Sequence, residues 1–273
     1  MNIKITDDFN LQKIADSGQC FRVKVFSDGM YRFITGENVL YIKQTENGFY
    51  EISCSEDQWQ DLWHAYFHLD RSYQEIRRKI PDTDSYMKQA ADSGLGLRIL
   101  RQEPWEMMIT FIISQQRTIP SIKKAVEGIA QSFGDAVKTD YETVHLFPSP
   151  AQMCRITSKD LDQFRLGYRT SYILDAIDKV YGGRLDLDKI SVYDDMALFH
   201  ALKSVRGVGD KVANCIALFS YGRTSLAPVD TWIKKVIDQE YQGQTPFPGY
   251  GDVAGIMQQY MFYYAQQHKG RYQ

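Results

Sequence analysis

Two residues in the last third of the chain, Lys211 and Asp230, combine a reactive type with a telling position. Lys211 follows Gly207-Val208-Gly209-Asp210, a glycine hairpin that leads into an apolar-periodic run, Val212 to Phe219. That places a lysine in the first turn of a helix, at the positive end of its dipole. A solvated ammonium gains nothing there, whereas a nucleophilic amine does. Asp230, nineteen residues on, stands in Pro228-Val229-Asp230 at the start of another helix. There the dipole favours its carboxylate, which is suited to stabilising a developing cation. The pair therefore suggests covalent catalysis by an amine beside a carboxylate.

The elements that must position the pair lie in Leu202 to Val236 and read as helix, hairpin, helix, loop, helix. Gly207 and Gly209 allow the sharp interhelical turn. Asp210 is expected to cap the helix from about Lys211 to Ser220, and Asp230 the next one, with Ile233, Val236 and Ile237 facing inward. Such a hairpin can hold a nucleic-acid phosphate through backbone N–H groups and the following helix N-terminus, without a basic side chain. Taken alone, Gly-Val-Gly between helices is equally a plain helix connection.

The whole chain narrows the class. Its 273 residues are enough for one large or two modest domains, and 44% are hydrophobic. No apolar run approaches a membrane span, and the polar start MNIKITDDF is unlike a secretory leader. Cys20, Cys54, Cys154 and Cys215 are widely spaced, without metal-ligand clustering, so a reduced, cytoplasmic protein without a cofactor is expected. A formal net charge of −2 gives no global field for nucleic acid, so DNA affinity would come from a local patch or backbone amides.

The fold class expected is α+β. Residues 3 to about 54 read as an antiparallel meander, with strands at Met30–Thr35, Val39–Gln44 and Gly48–Ser53. Ser55 to Gln58 is a capping box opening a helix whose Trp59, Leu62, Trp63, Tyr66 and Phe67 form one apolar face, expected to pack on the sheet. Beyond residue 82 the pattern is all-helical. Pro104 opens a helix apolar nearly all round, Gln115 to Thr118 interrupt it, and the last helix runs from about Asp252 to Gln267. Two domains follow, 1–82 and 83–273, the second with two helical lobes and the last helix packing back near the first lobe.

VRGVGDKVANCIALF and APVDTWI resemble the helix-hairpin-helix, Gly/Pro…Asp superfamily of DNA glycosylases, and the lysine marks its bifunctional branch. FNLQKIADSGQCFR, FIISQQRTIPSIKKAVEGIAQSFG, FPSP, RLGYRTSYI and AGIMQQYMFYYAQ extend the resemblance, in order, to eukaryotic-type 8-oxoguanine DNA glycosylases. The likeness implies a monomeric enzyme acting on double-stranded DNA containing 8-oxoguanine, of prokaryotic kind since long extensions are lacking. It implies Lys211 as the nucleophile that forms a Schiff base and Asp230 as its partner carboxylate. It implies a base pocket of Gly18, Cys215, Gln258 and Phe262 that receives the flipped nucleotide between the two domains. The Gly18 carbonyl would accept from N7–H of 8-oxoguanine, where guanine offers only an acceptor, a difference worth roughly 1–3 kcal/mol. Gln258 would read the Watson–Crick edge, and Phe262 and Cys215 would cover the two faces. DNA contacts would come from Gln116, Arg117, Tyr168, Arg169, Gly207, Gly209 and Trp232. The likeness further implies a monovalent cation at the hairpin carbonyls of Val205 and Val208, and no catalytic metal.

The sequence departs from the family mainly where the opposite strand would be read. Gln116-Arg117-Thr118 replaces Asn-Asn-Asn, the two cytosine-reading arginines align with Ser121 and Asp162, and Trp232 replaces the usual histidine. Relaxed preference for the opposite base is the expectation. The endonuclease III-type run of four cysteines is absent from Gln266 to Gln273. Two other readings stay open: an alkylpurine glycosylase, which needs only the aspartate and leaves Lys211 unexplained, and a non-catalytic helix-hairpin-helix DNA-binding protein, which would form no covalent adduct.

Overall fold

The computed structural model describes residues 1–272. Chain contacts group them into two compact units that no single cut in sequence separates. One comprises Met1–Phe33, Leu40–Arg101 and the chain from Gly222 onward; the other comprises Ile34–Val39 and Gln102–Tyr221. A division at residue 82 cuts across this grouping, because the chain from Gly222 onward belongs to the same unit as its beginning.

β1 (Asn2–Lys4), β2 (Lys24–Val25), β3 (Tyr31–Thr35), β4 (Asn38–Glu46) and β5 (Phe49–Ile52) form an antiparallel sheet in the order β1-β5-β4-β3-β2, all of it in the first unit except the Ile34–Val39 hairpin end of β3 and β4. The three inner strands lie where the alternation places them. The two edge strands were not foreseen, since two or three residues are too few for alternation to show. α1 (Leu11–Asp16), capped by Asn10, buries Leu11, Ile14 and Ala15 in the same core. The capping box at Ser55 and Gln58 opens α2 (Glu56–Gln58), which continues through a π turn, Trp59–Trp63, into α3 (His64–Tyr66). The wider turn accompanies burial of Trp59, Trp63, Tyr66 and Phe67 with Phe33, Leu40 and Ile42 of the sheet. α4 (Tyr73–Arg78) and α5 (Ser85–Ser93) follow, capped by Ser72 and Asp84.

The same unit holds α13 (Thr231–Glu240) and α14 (Ala254–Gln267). α14 packs on α5, and its residues from Ala254 to Met261 are all buried. Ile233, Val236 and Ile237 are buried as the period implied.

The second unit is mostly helical. α6 (Pro104–Ser114) buries nine of its eleven residues, α7 (Ile119–Phe133) is amphipathic, and Gln115 to Thr118 separate them. α8 (Pro150–Met153), α9 (Ser158–Leu161), α10 (Arg169–Tyr181), α11 (Asp195–Lys203) and α12 (Asp210–Phe219) complete the helices. The unit is not all helix: β6 (Ala136–Lys138) and β7 (Thr143–His145) form a small antiparallel ribbon. Its turn is closed by the Thr139 hydroxyl, which accepts from Tyr141 and Glu142 N–H.

Candidate active site and nucleic-acid interface

The hairpin between α11 and α12 is built as its glycines require. Gly207 has φ +81°, and a Cβ there would run into the Tyr172 ring of α10. Val208 N–H donates to Val205 C=O at 3.0 Å, and both valine side chains are buried beneath the turn. Gly209 is the N-cap of α12 in an extended conformation, and its carbonyl accepts from Ala213 N–H at 2.9 Å. The expectation that Asp210 caps this helix is corrected. Asp210 is already the first helical residue, and its carboxylate pairs with Lys203 at 2.6 Å. The first-turn N–H groups of α12 therefore lack a side-chain cap.

Lys211 is the second residue of α12 and half-buried. Its Nζ lies 5.4 Å from the centroid of Phe111, whose ring stacks on Phe219. Cys215, one turn on, is buried. Asp230 is the N-cap of α13, as foreseen, and its Oδ1 accepts from Ile233 N–H at 2.9 Å. Trp232 is half-buried on the same first turn, with Lys235 Nζ 5.8 Å from its ring.

Gly18 sits in a turn with φ +76°. Both neighbours are fully buried. The Ser17 hydroxyl donates to Ile14 C=O at 2.7 Å and accepts from Gln19 Nε2 at 2.8 Å. Gln19 also donates to Arg98 C=O at 2.8 Å and accepts from Leu100 N–H at 2.7 Å. Gln259 Nε2 donates to Ser17 C=O at 2.6 Å, which joins α14 to this turn. Gln258, next along, is buried, and its Oε1 has no partner. Phe262, one turn further, is half-buried. Gln19 and Gln259 were not singled out from sequence. A glutamine pair inside the apolar run AGIMQQYMF was the available signal, because a buried amide needs a partner.

In the second unit, Gln116 is exposed at φ +51°, an uncommon conformation for a residue with a side chain. Arg117 Nη2 donates to Arg165 C=O at 2.8 Å and Phe164 C=O at 3.3 Å. Tyr168 is exposed, with its ring against Tyr172 and over the Arg169 guanidinium. Arg169 is the residue expected from the resemblance to contact DNA beside Tyr168. It is buried, and its guanidinium donates to the carbonyls of Gln115 (Nε, 2.9 Å; also Nη2) and Leu166 (3.1 Å). Ser121 is half-buried on α7, and Asp162 is exposed. Among the described residues no group of three or more His, Cys, Asp or Glu could hold a metal ion. No helix of the described residues is long and apolar enough to cross a membrane.

Residues 2–108 match the family described as 8-oxoguanine DNA glycosylase, N-terminal domain. The fold is similar along nearly its full length to MBOgg1, solved with a low-affinity DNA ligand, at 34% identity and a TM-score of 0.93. That match covers 98% of this chain and 96% of the other. The chain belongs to the 8-oxoguanine DNA glycosylase family. The glycosylase/lyase of Clostridium acetobutylicum, in its apo form, is a comparable relative of this family member, at 35% identity, a TM-score of 0.90 and coverage of 97% and 95%. The N-glycosylase/DNA lyase of Saccharomyces cerevisiae is 30% identical over 193 residues, 65% of this chain. The chain spans about half the length of that curated relative, 50%. Family membership accounts for the five-stranded antiparallel sheet followed by a mostly helical region.

Proposed function

We propose that this chain is a bifunctional glycosylase/AP lyase that excises 8-oxoguanine from duplex DNA in base excision repair. The nucleotide is flipped out of the stack and its base is recognised by Gly18, Gln258, Phe262 and Cys215. Asp230 stabilises the positive charge that develops on the deoxyribose as the C1′–N9 bond breaks. Lys211 Nζ gives up a proton and forms a bond to C1′, and the base leaves with its electron pair and gains a proton. The C1′–O4′ bond then breaks, O4′ gains a proton, and the nitrogen lone pair closes the C1′=N bond of a Schiff base; this acidifies C2′, so loss of a C2′ proton expels the 3′ phosphate by β-elimination. The observation that carries this reading is Lys211 itself, half-buried in the first turn of α12 with its Nζ 5.4 Å from the centroid of the Phe111 ring. The unpartnered Oε1 of buried Gln258 supports the recognition step, since a base edge would supply the missing donor.

The hairpin binds a backbone phosphate through the uncapped N–H groups of α12, and the loop from Gln115 to Thr118 fills the gap left in the strand. The carbonyls of Val205 and Val208 are hard oxygen donors of the kind an alkali cation takes. Val205 spends one lone pair on Val208 N–H and keeps the other. A cation held there would strengthen the phosphate grip and takes no part in the steps above.

Preference for the opposite base is relaxed. Ser121 is short, Asp162 has the wrong charge for a cytosine acceptor edge, and Arg117 and Arg169 spend donors on main-chain carbonyls. The Clostridium acetobutylicum protein has been solved with duplex DNA containing cytosine opposite 8-oxoguanine. Borohydride trapping on a duplex with one 8-oxoguanine tests the central reading. A covalent adduct is expected with the native chain and none with Lys211→Gln. An adduct with the variant would assign the nucleophile elsewhere.

A further inference from the structure

We propose that Gln115 is a positioning residue that couples the 115–118 loop to the hairpin of α11 and α12. Filling the strand and gripping its backbone then become one concerted event. The inference rests on the functional reading of loop and hairpin given above.

Gln115 ends α6 and meets three elements at once. Its carbonyl takes two donors from Arg169, the first residue of α10. Its side-chain amide donates to Ile112 C=O within α6 and to Gly207 C=O in the hairpin, each at 3.2 Å. Gly207 C=O and Val208 N–H are two ends of one peptide plane. Gln115 holds the first and Val205 C=O the second, so the plane cannot rotate without breaking one of these bonds.

α10 anchors the same two segments from beneath. Arg169 holds the loop. Tyr172 packs against Gly207 so closely that no side chain fits there. Asp175 Oδ2 accepts from Arg206 N–H at 2.7 Å, and Lys179 donates to Asp175 at 2.9 Å and to Ser204 C=O. The two segments therefore share one rigid helix as a base, and Gln115 is the direct tie between them. A strand that displaces the loop must pull on the Gly207 peptide, and with it the turn that leads into the uncapped N–H groups of α12.

The test compares Gln115→Ala and Gln115→Met, the latter keeping side-chain length without a donor. Amide hydrogen exchange at residues 205–209 of the free protein should rise about fivefold, as loss of one hydrogen bond implies. Single-turnover excision of 8-oxoguanine from a fully paired duplex should fall about tenfold. Excision from a duplex in which the lesion is an unpaired single-nucleotide bulge should fall by no more than about twofold, because little opening work remains. A general folding defect would depress both substrates alike. Unchanged exchange at the hairpin, or equal losses on the two substrates, would overturn the coupling. If the native chain excises nothing, the functional reading fails, while the exchange measurement still decides whether loop and hairpin are tied.

Discussion

The side-chain amide of Gln259 donates to the carbonyl of Ser17 at 2.6 Å, across 242 residues of sequence. Ser17 is fully buried and Gln259 nearly so, so the bond has no water to replace it. It ties the turn carrying Gly18 to the helix carrying Gln258 and Phe262. Gln259→Leu removes the donor and leaves a buried carbonyl unpaired, at about 1–3 kcal/mol. We expect a thermal midpoint lowered by roughly 2–4 °C per kcal/mol, and a smaller ratio of 8-oxoguanine to guanine excision. A variant with lowered stability and an unchanged ratio would separate the Ser17 bond from base selection.

Lys211 and Asp230 should fail differently from the pocket residues. Lys211→Gln is expected to bind a lesion duplex while neither trapping nor nicking it. Asp230→Asn should keep its cap, because an asparagine oxygen can accept from Ile233 N–H, and so should fold and bind yet cut very slowly. Gel-shift affinity alongside strand cleavage checks both. Weak binding by both variants would place these residues in DNA anchoring instead.

Gln258 carries a buried amide oxygen with no partner, a feature that lowers stability. Gln258→Met should therefore leave the thermal midpoint unchanged or raise it, and should weaken 8-oxoguanine excision. Phe262→Ala should lose stacking worth roughly 1–3 kcal/mol, read as weaker lesion binding. Full activity of both variants would put the base elsewhere.

His68 makes the first unit sensitive to acid. Burial above all, then the positive charge of Arg101, with Arg98 and Arg71 adding, holds its imidazole down to about 3, against the pull of Asp70. Tyr73 hydroxyl accepts from Ile99 N–H at 2.9 Å and lies 3.0 Å from His68 Nδ1. The unfolded chain takes the proton near pH 6.5 and the folded one only near 3. The contribution of His68 to stability is thus complete above about pH 6.5 and declines as pH falls toward 3, with a limiting slope of about 1.4 kcal/mol per pH unit. His68→Asn, which tolerates the positive φ of this residue, should flatten denaturant stability between pH 4 and 6.5. Parallel pH profiles for the two proteins would show that other groups dominate.

The opposite-base reading is settled by single-turnover excision of 8-oxoguanine paired with C, T, G and A. Each lost base-edge contact removes about 1–3 kcal/mol of discrimination. With Ser121 and Asp162 in the aligned positions, the four rates should lie within about tenfold. A hundredfold preference for cytosine would point to Arg117, whose Nη1 has no partner, as the reader.

The sequence by itself determined the features that depend on neighbours in the chain. The Ser55 and Asp230 caps, the hairpin glycines, the amphipathic α7 and the inner strands follow from local periodicity and backbone preference, and they stand where expected. Lys211 at a helix start was legible for the same reason. Tertiary structure decided what depends on partners distant in sequence. Arg169 enters only through the family resemblance, as a DNA contact; that its guanidinium is buried and donates to the carbonyl of Gln115 depends on a partner 54 residues away. Asp210 looked like a cap, but the extended backbone of Gly209 took that position and Lys203 took the carboxylate. The return of α13 and α14 to the unit that begins the chain, sealed by Gln259 on Ser17, leaves no local trace. Local sequence sets φ, ψ and periodicity, whereas the partner of a buried polar group is chosen only when distant segments meet and water is excluded.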